Sequence, residues 1–236
     1  MKSFVLSINK RTLLNLLAIS LILIALLVIG FNDSVDVFAT NTEAIYRGNE
    51  NKPYIAFECN VVWGTEYVPQ MLDIFKERGI KITFFIGGEW ANDNPELLQR
   101  MVDEGHEIGN HGYSHKYHSK LDFGANTSEI QKTEDKIKAI TGKKTSLFAP
   151  PYGDFNEITL RSAKSLGYKT IMWSKDTIDW RRDGVDKIIN RVLNNPENGD
   201  LVLMHPTQDT VKALHVIIDK LTELGYEITT VSKAIE

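Results

Sequence analysis

The sequence holds one cysteine, Cys59, in 236 residues. An internal disulfide is excluded, and so is a metal site built on several thiolates. A basic excess is missing too: 27 Lys and Arg face 31 Asp and Glu, a formal charge of −4. Nucleic-acid binders carry a positive footprint, so no nucleic-acid partner is expected. There is no glycine-rich phosphate loop, internal repeat or low-complexity tract. Hydrophobic residues at 42% and charged residues at 25% exclude a disordered or fibrous chain. With thiolates scarce, the six histidines become the main soft metal ligands.

Charge is also absent from Thr12 to Asn32. Within that run Leu13 to Phe31 is 19 residues long and nearly all Leu, Ile, Val or Ala. As a helix it reaches roughly 28 Å, close to the hydrocarbon thickness of a bilayer. Lys2, Lys10 and Arg11 precede it and Asp33 and Asp36 follow it, which puts the N-terminus in the cytoplasm. Two export readings compete. The length favours an uncleaved single-pass anchor in the cell membrane, whereas Val37-Phe38-Ala39 fits cleavage after Ala39 and secretion. In either case the rest of the chain acts outside the membrane. Residues 40–236 carry 24 basic and 29 acidic residues, net −5.

The expected organisation is a stub and anchor or signal segment at 1–31, a polar linker at 32–52 and one domain at 53–236. From Pro53 onward, short apolar runs alternate with amphipathic stretches. Strands are expected at 54–59, 80–86, 106–109, 146–148, 168–173, 200–204 and 227–229. Helices are expected at 67–78, 95–104, 127–141, 157–166, 184–193 and 210–224. Strict alternation implies a parallel α/β sheet. It is either doubly wound or a small, incomplete (β/α) barrel. In a barrel, the polar clusters after the strands would share the C-terminal rim.

Four such clusters carry candidate chemistry. His111-Gly112-Tyr113-Ser114-His115 sets two imidazoles four residues apart, able to meet one ion if the segment is a helical turn. His118 is out of step with both and reads as a surface residue. Phe148-Ala149-Pro150-Pro151-Tyr152-Gly153 is a stiff turn, whose next free backbone N–H groups are those of Tyr152 and Gly153. Asp176-Thr177-Ile178-Asp179-Trp180 offers carboxylates beside an indole. Leu203-Met204-His205-Pro206 ends an apolar strand on a histidine. Convergence of His, His, Asp and His on one rim suggests metal-assisted hydrolysis.

The order of these motifs resembles the polysaccharide deacetylases, the NodB-homology domain of carbohydrate esterase family 4. The resemblance runs from about Pro53 to Ile235. Gly105-His106-Glu107-Ile108-Gly109-Asn110-His111, with Ser114-His115, is similar to the family's HxxxH motif and its lead-in. Pro150-Pro151-Tyr152-Gly153 resembles the tail of RPPYG, Asp176 to Trp180 resembles DxxDW, and Leu203-Met204-His205 resembles the last histidine motif. The resemblance implies a distorted (β/α) barrel of about seven strands and N-deacetylation of an acetamido sugar with a divalent metal, usually zinc. It implies His111 and His115 as metal ligands and His205 as general acid, oriented by Asp179. Tyr152 would supply the oxyanion N–H.

The first motif departs from the family. TFDDG is replaced by Glu58-Cys59-Asn60-Val61-Val62. Asn60 then stands where the catalytic base belongs, Val61 where the carboxylate ligand belongs, and Ala149 where the base's arginine partner belongs. Asn cannot take a proton near neutral pH, and losing a general base typically costs about 10²–10⁴ in rate. Glu58 lies on the same strand face as Asn60 and is a candidate substitute, as is Glu66 on the following loop. Two functions remain. One is a membrane-anchored deacetylase of N-acetylated, peptidoglycan-type wall glycan with an altered metal site. The other is a non-catalytic glycan-binding or scaffolding protein. Trp63, Trp90, Trp173 and Trp180 are candidates for stacking on sugar rings, with core packing expected for at least two.

Overall fold

A computed structural model describes residues 9–36 and 43–236, with side chains of the first helix described through Leu23. The chain separates into two compact units that divide at residues 41 and 42. The first holds α1 (Lys10–Asp36). Asn9 accepts the Thr12 N–H at 2.9 Å and starts the helix. Its described apolar side chains, among them Leu14, Leu21 and Ile22, are exposed. Among the described residues, no helix is long and apolar enough to cross a membrane. The expected cleavage point after Ala39 lies outside the described residues.

The second unit is built on parallel strands. They are β1 (Tyr54–Val61), β2 (Thr83–Ile86), β3 (Glu107–Asn110), β4 (Leu147–Phe148), β5 (Lys169–Thr170), β6 (Lys175–Asp176), β7 (Leu201–Met204) and β8 (Glu227–Thr229). The order is β5-β4-β3-β2-β1-β7-β6, with β8 also paired to β1. This is the expected incomplete barrel, a path of seven strands with β8 beside β1 as an eighth, open between β5 and β6. The helices are α2 (Val68–Arg78), α3 (Gly88–Asp93), α4 (Pro95–Asp103), α5 (Phe123–Thr141), α6 (Glu157–Ser165), α7 (Val185–Leu193), α8 (Gln208–Glu223) and α9 (Val231–Ala234).

Side-chain alternation along β1 sorts the core. Ile55, Phe57, Cys59 and Val61 face outward into a cluster with Leu72, Phe75, Leu214 and Ile217 of the covering helices. Ala56 faces inward, with Phe85, Leu147, Ala149, Ile171 and Leu201. The four-residue α9 closes the lower end of that interior. Its Val231 N–H donates to the Thr83 hydroxyl at 2.8 Å, and its Ser232 N–H to Glu107 at 3.1 Å.

Three expectations are corrected. Alternation is not strict: β5 and β6 are joined by residues 171–174 with no helix between them, and α3 and α9 were not foreseen. Residues 43–52 are not wholly linker. Ile45 bridges Ile171 and Arg47 bridges Asp200, so this segment spans the open seam. The Arg47 guanidinium also lies 3.1 Å from the buried Asp200 carboxylate. Finally, His118 is fully buried rather than on the surface.

Candidate active site

A cavity of about 430 Å³ opens at the C-terminal ends of the strands. It is lined by Asn60, His111, His115, Tyr152, Asp176 and His205, and walled by Trp63, Trp173, Trp180, Gly153 and Leu203. The four separated motifs therefore do meet. Trp90 belongs to the outer core, while the other three tryptophans line the cavity.

His111 follows β3 directly. Its Nδ1 lies 2.7 Å from the Ala149 carbonyl. A carbonyl only accepts, so Nδ1 carries the proton and Nε2 keeps its lone pair. The His115 ring centroid is 5.1 Å away. The connecting segment is a loop, not the helical turn expected, with Gly112 at φ 70° and His115 at φ 50°. Side chains hold this loop in place. Asn110 accepts the Gly112 N–H at 3.0 Å, and Glu129 of α5 accepts those of Tyr113 and Ser114 at 3.1 and 2.8 Å. Buried His118 braces it from below, with its Nδ1 2.6 Å from Asn126 Oδ1. Burial pushes the His111 pKa well below its usual value, and burial with His205 brings His115 down to about 4. Both imidazoles are neutral at pH 7, the form that binds a cation.

On the opposite wall, Asp179 is fully buried and accepts three hydrogen bonds. They come from the His205 backbone N–H at 2.7 Å, His205 Nδ1 at 2.8 Å and the Thr210 hydroxyl at 2.6 Å. The ring is fixed with Nδ1 on the carboxylate, which leaves Nε2 for the cavity. Trp63 stacks on the same ring, with centroids 5.5 Å apart and planes within 10°. Thr210 and Trp63 were not assigned these roles from sequence. Thr210 opens α8 and looks like an ordinary capping residue. Asp176 is the carboxylate facing the cavity, and burial raises its pKa.

The proline turn places Tyr152 at φ 61°, a left-handed conformation uncommon outside glycine. Gly153 N–H donates to Pro150 O and Asp154 N–H to Pro151 O, each at 3.0 Å, so Tyr152 N–H stays outside the turn's bonds. Of the two N–H groups expected to be free, only that of Tyr152 is.

The floor of the cavity differs in character. Asn60 is 5% exposed, and its Oδ1 has no hydrogen-bond partner. Val61 points away into the outer core and does not line the cavity. Glu58 lies beneath Asn60, 2% exposed and also outside the lining. Burial, reinforced by Asp176, raises its pKa well above the usual carboxyl range. Glu66 lines a neighbouring groove instead. Neither expected substitute carboxylate reaches the cavity. Among the described residues no group of three His, Cys, Asp or Glu could hold a metal ion. The donors present fall one short of a three-ligand zinc site.

The site is a rim cleft on a parallel half-barrel, with neutral imidazoles on one wall and a carboxylate-held histidine on the other. A sequence profile of the family described as polysaccharide deacetylase matches residues 47–171. The chain is 35% identical over 190 residues to a peptidoglycan-N-acetylglucosamine deacetylase of Bacillus cereus, covering 78% of this chain and 69% of that one. It belongs to the polysaccharide deacetylase family, a family of hydrolases. The uncharacterized protein YlxY of Bacillus subtilis is 38% identical over 203 residues; the match covers 86% of this chain and 64% of the length of YlxY. Among solved structures, BA3943 of Bacillus anthracis, described as a CE4 family pseudoenzyme, superposes with a TM-score of 0.81 at 38% identity, over 84% of this chain and 70% of that one. A BA3943 mutant described as having restored enzymatic activity superposes with a TM-score of 0.81 at 36% identity.

Proposed function

We propose that this chain holds N-acetylated, peptidoglycan-type wall glycan in the His111–His205 cleft, on deacetylase machinery that keeps its acid and has lost its base. One observation carries the reading. The floor position of the base is a carboxamide, Asn60, with an unpaired oxygen, while neither Glu58 nor Glu66 lines the cavity. The remaining parts suit an acetamide. Tyr152 N–H is free to donate to its carbonyl, Leu203 and Trp180 offer an apolar wall, and His205 Nε2 faces the leaving nitrogen. Polarisation by a divalent ion, zinc in the family's usual chemistry, would rest on His111 and His115 alone. Without a base to deprotonate water, hydrolysis falls by about 10²–10⁴.

The uncharged run from Thr12 to Asn32, with Lys2, Lys10 and Arg11 before it and Asp33 and Asp36 after it, supports a single-pass anchor with residues 43–236 outside the membrane. Cleavage after Ala39 would release the same unit. Carbonate extraction of membranes separates the two.

The test is acetate release from N-acetylated wall glycan by the full-length chain in detergent, with and without added Zn²⁺. Release at or near background is expected, rising at least about 100-fold on Asn60→Asp, which returns a base to the floor of the cavity. Rapid release by the native chain that disappears in His111→Ala would overturn the loss of the base. Asp176, the one carboxylate on the lining, favours that second reading, a working deacetylase, and Asp176→Asn would then abolish the activity.

A further inference from the structure

Charge is unevenly shared between the two ends of the barrel. Residues 138–169 hold six Lys and Arg against two acids, net +4, inside a stretch 40–236 that is net −5. The two acids stand toward the rim. Asp154 follows the proline turn and accepts the Ser119 N–H and hydroxyl, each at 2.8 Å, and Glu157 opens α6. The cations stand toward the other end. Lys138 lies in the last turn of α5, and Lys143 and Lys144 lead into β4. Arg161 and Lys164 follow along α6, and Lys169 opens β5. All six are exposed.

Hydrogen bonds hold this cluster together. Glu134 of α5 accepts the Thr145 N–H at 3.0 Å, the Thr145 hydroxyl at 2.6 Å and the Tyr168 hydroxyl at 2.7 Å. The Lys169 N–H donates to the Ser146 carbonyl at 2.9 Å. The turns that carry Lys143, Lys144 and Lys169 are thereby tied side by side, at the N-terminal ends of β4 and β5. Among the described residues, the side chains of Lys138, Lys143, Lys144 and Lys169 make no ion pair or hydrogen bond. Lysines gathered without counter-charges repel one another, and an anionic partner relieves this.

The form of the cluster selects the partner. Gly142 and Gly167 turn beside these lysines, and a Cβ at either would meet no atom within 4 Å. Charges on projecting turns meet a surface, whereas a polyanionic chain is tracked by a groove. The chain also enters this unit here. Ile45 bridges Ile171 in parallel, which puts Glu43 near Lys169 at the start of β5. The entry from the uncharged run at 12–32 is therefore at the basic end.

We propose that this end of the barrel docks on the phosphate headgroups of an anionic bilayer. The docking rests on the reading of residues 12–32 as an anchor, which supplies the bilayer. It turns the His111–His205 cleft, at the opposite ends of the strands, away from the lipid.

The test reconstitutes the full-length chain in vesicles of phosphatidylcholine, with or without about 30% phosphatidylglycerol. An amine-acetylating reagent that does not cross bilayers labels the lysines, and mass spectrometry reads each rate. Lys138, Lys143, Lys144 and Lys169 are expected to react about threefold or more slowly in the anionic vesicles. Lys116 and Lys187, near the rim, are expected to keep their rates. About 0.5 M salt is expected to remove the difference. In Lys143→Glu/Lys144→Glu/Lys169→Glu the slowing at Lys138 is expected to vanish, with its rate in neutral vesicles unchanged, which shows the fold intact. Equal rates at these lysines in the two vesicles, or equal slowing at Lys116 and Lys187, overturn the docking. So does slowing by soluble polyphosphate in neutral vesicles with none from anionic lipid, which marks a polymer site instead. Flotation with neutral vesicles reads the anchor separately. A chain left behind overturns the anchor, and the lysine rates then decide the docking on their own.

Discussion

The acid half and the base half of the cleft differ in what their polar groups do for the fold. Asp179 joins the strand end at His205, the first turn of α8 at Thr210 and its own turn through three hydrogen bonds. That turn is flanked by Ile178, a β-branched residue at φ 50°, and Arg182 at φ 52°. Such backbone persists only where its surroundings hold it. Asn60, across the cavity, has an oxygen bonded to nothing, and Val61 has joined the hydrocarbon core. The acid's orienting carboxylate is also a tertiary tie, so removing it costs stability. A base that serves only water activation has no such second duty. On the proposed reading, the chemistry is lost where the catalytic group carries no structural load.

That contrast breaks most visibly at Asp179. Asp179→Ala leaves three donors without their acceptor, two of them backbone or ring N–H groups. A loss of about 3 kcal/mol or more is expected, a fall of roughly 6–12 °C in Tm by calorimetry. A fall under about 2 °C would erase the distinction between the halves.

The pH dependence sharpens it with two signs. His106, set among Phe75 and Phe84, has its pKa lowered to about 4 by burial, and its Nδ1 accepts the Ile82 N–H. Unfolded His106 binds the proton first, so its contribution is complete above pH 6.5 and is lost as pH falls toward 4, up to about 3 kcal/mol. Glu58 acts oppositely. Burial raises its folded pKa, so stability falls as pH rises above the unfolded carboxyl value near 4.5. Urea unfolding across pH 4.5–8 is expected to show His106→Phe flattening the acid limb and Glu58→Gln lifting the alkaline limb.

Thr210→Val removes one charge-assisted bond from Asp179, and a loss of about 1.5 kcal/mol is expected by the same unfolding assay. The smallest effect belongs to the slack half. Asn60→Leu keeps the branched shape and removes an unpaired buried acceptor. A gain of about 1 kcal/mol, or 2–4 °C in Tm, is expected. A loss of similar size would reveal that Asn60 does bear load.

The barrel and the gathering of His111, His115, Tyr152, Asp179 and His205 were legible because each motif follows an apolar run, and strand ends in a parallel barrel share a rim. The loop between the two histidines was not, since i and i+4 spacing describes a helix while Gly112 and His115 turn left-handed. Burial of His118 inside a loop leaves no periodic trace in the sequence. The isolated bridges of Ile45 and Arg47 carry no alternation that would set them apart from a linker. The fate of Glu58 turned on depth. The pleat does put it on the face of Asn60, yet one layer lower, where it meets the interior and not the cavity.

The α9 plug has a consequence for the order of assembly. Its Ala234 packs in the same interior cluster as Ala56, and its backbone N–H groups cap onto Thr83 and Glu107. Contacts between residues this far apart in sequence form late. During synthesis β1 stays without a closed interior until residues 231–234 have cleared the ribosome. A chain stopped at residue 230 would be a barrel without a floor, with the Thr83 hydroxyl and Glu107 carboxylate deprived of the N–H groups that α9 brings. Closure of the interior therefore waits on α9.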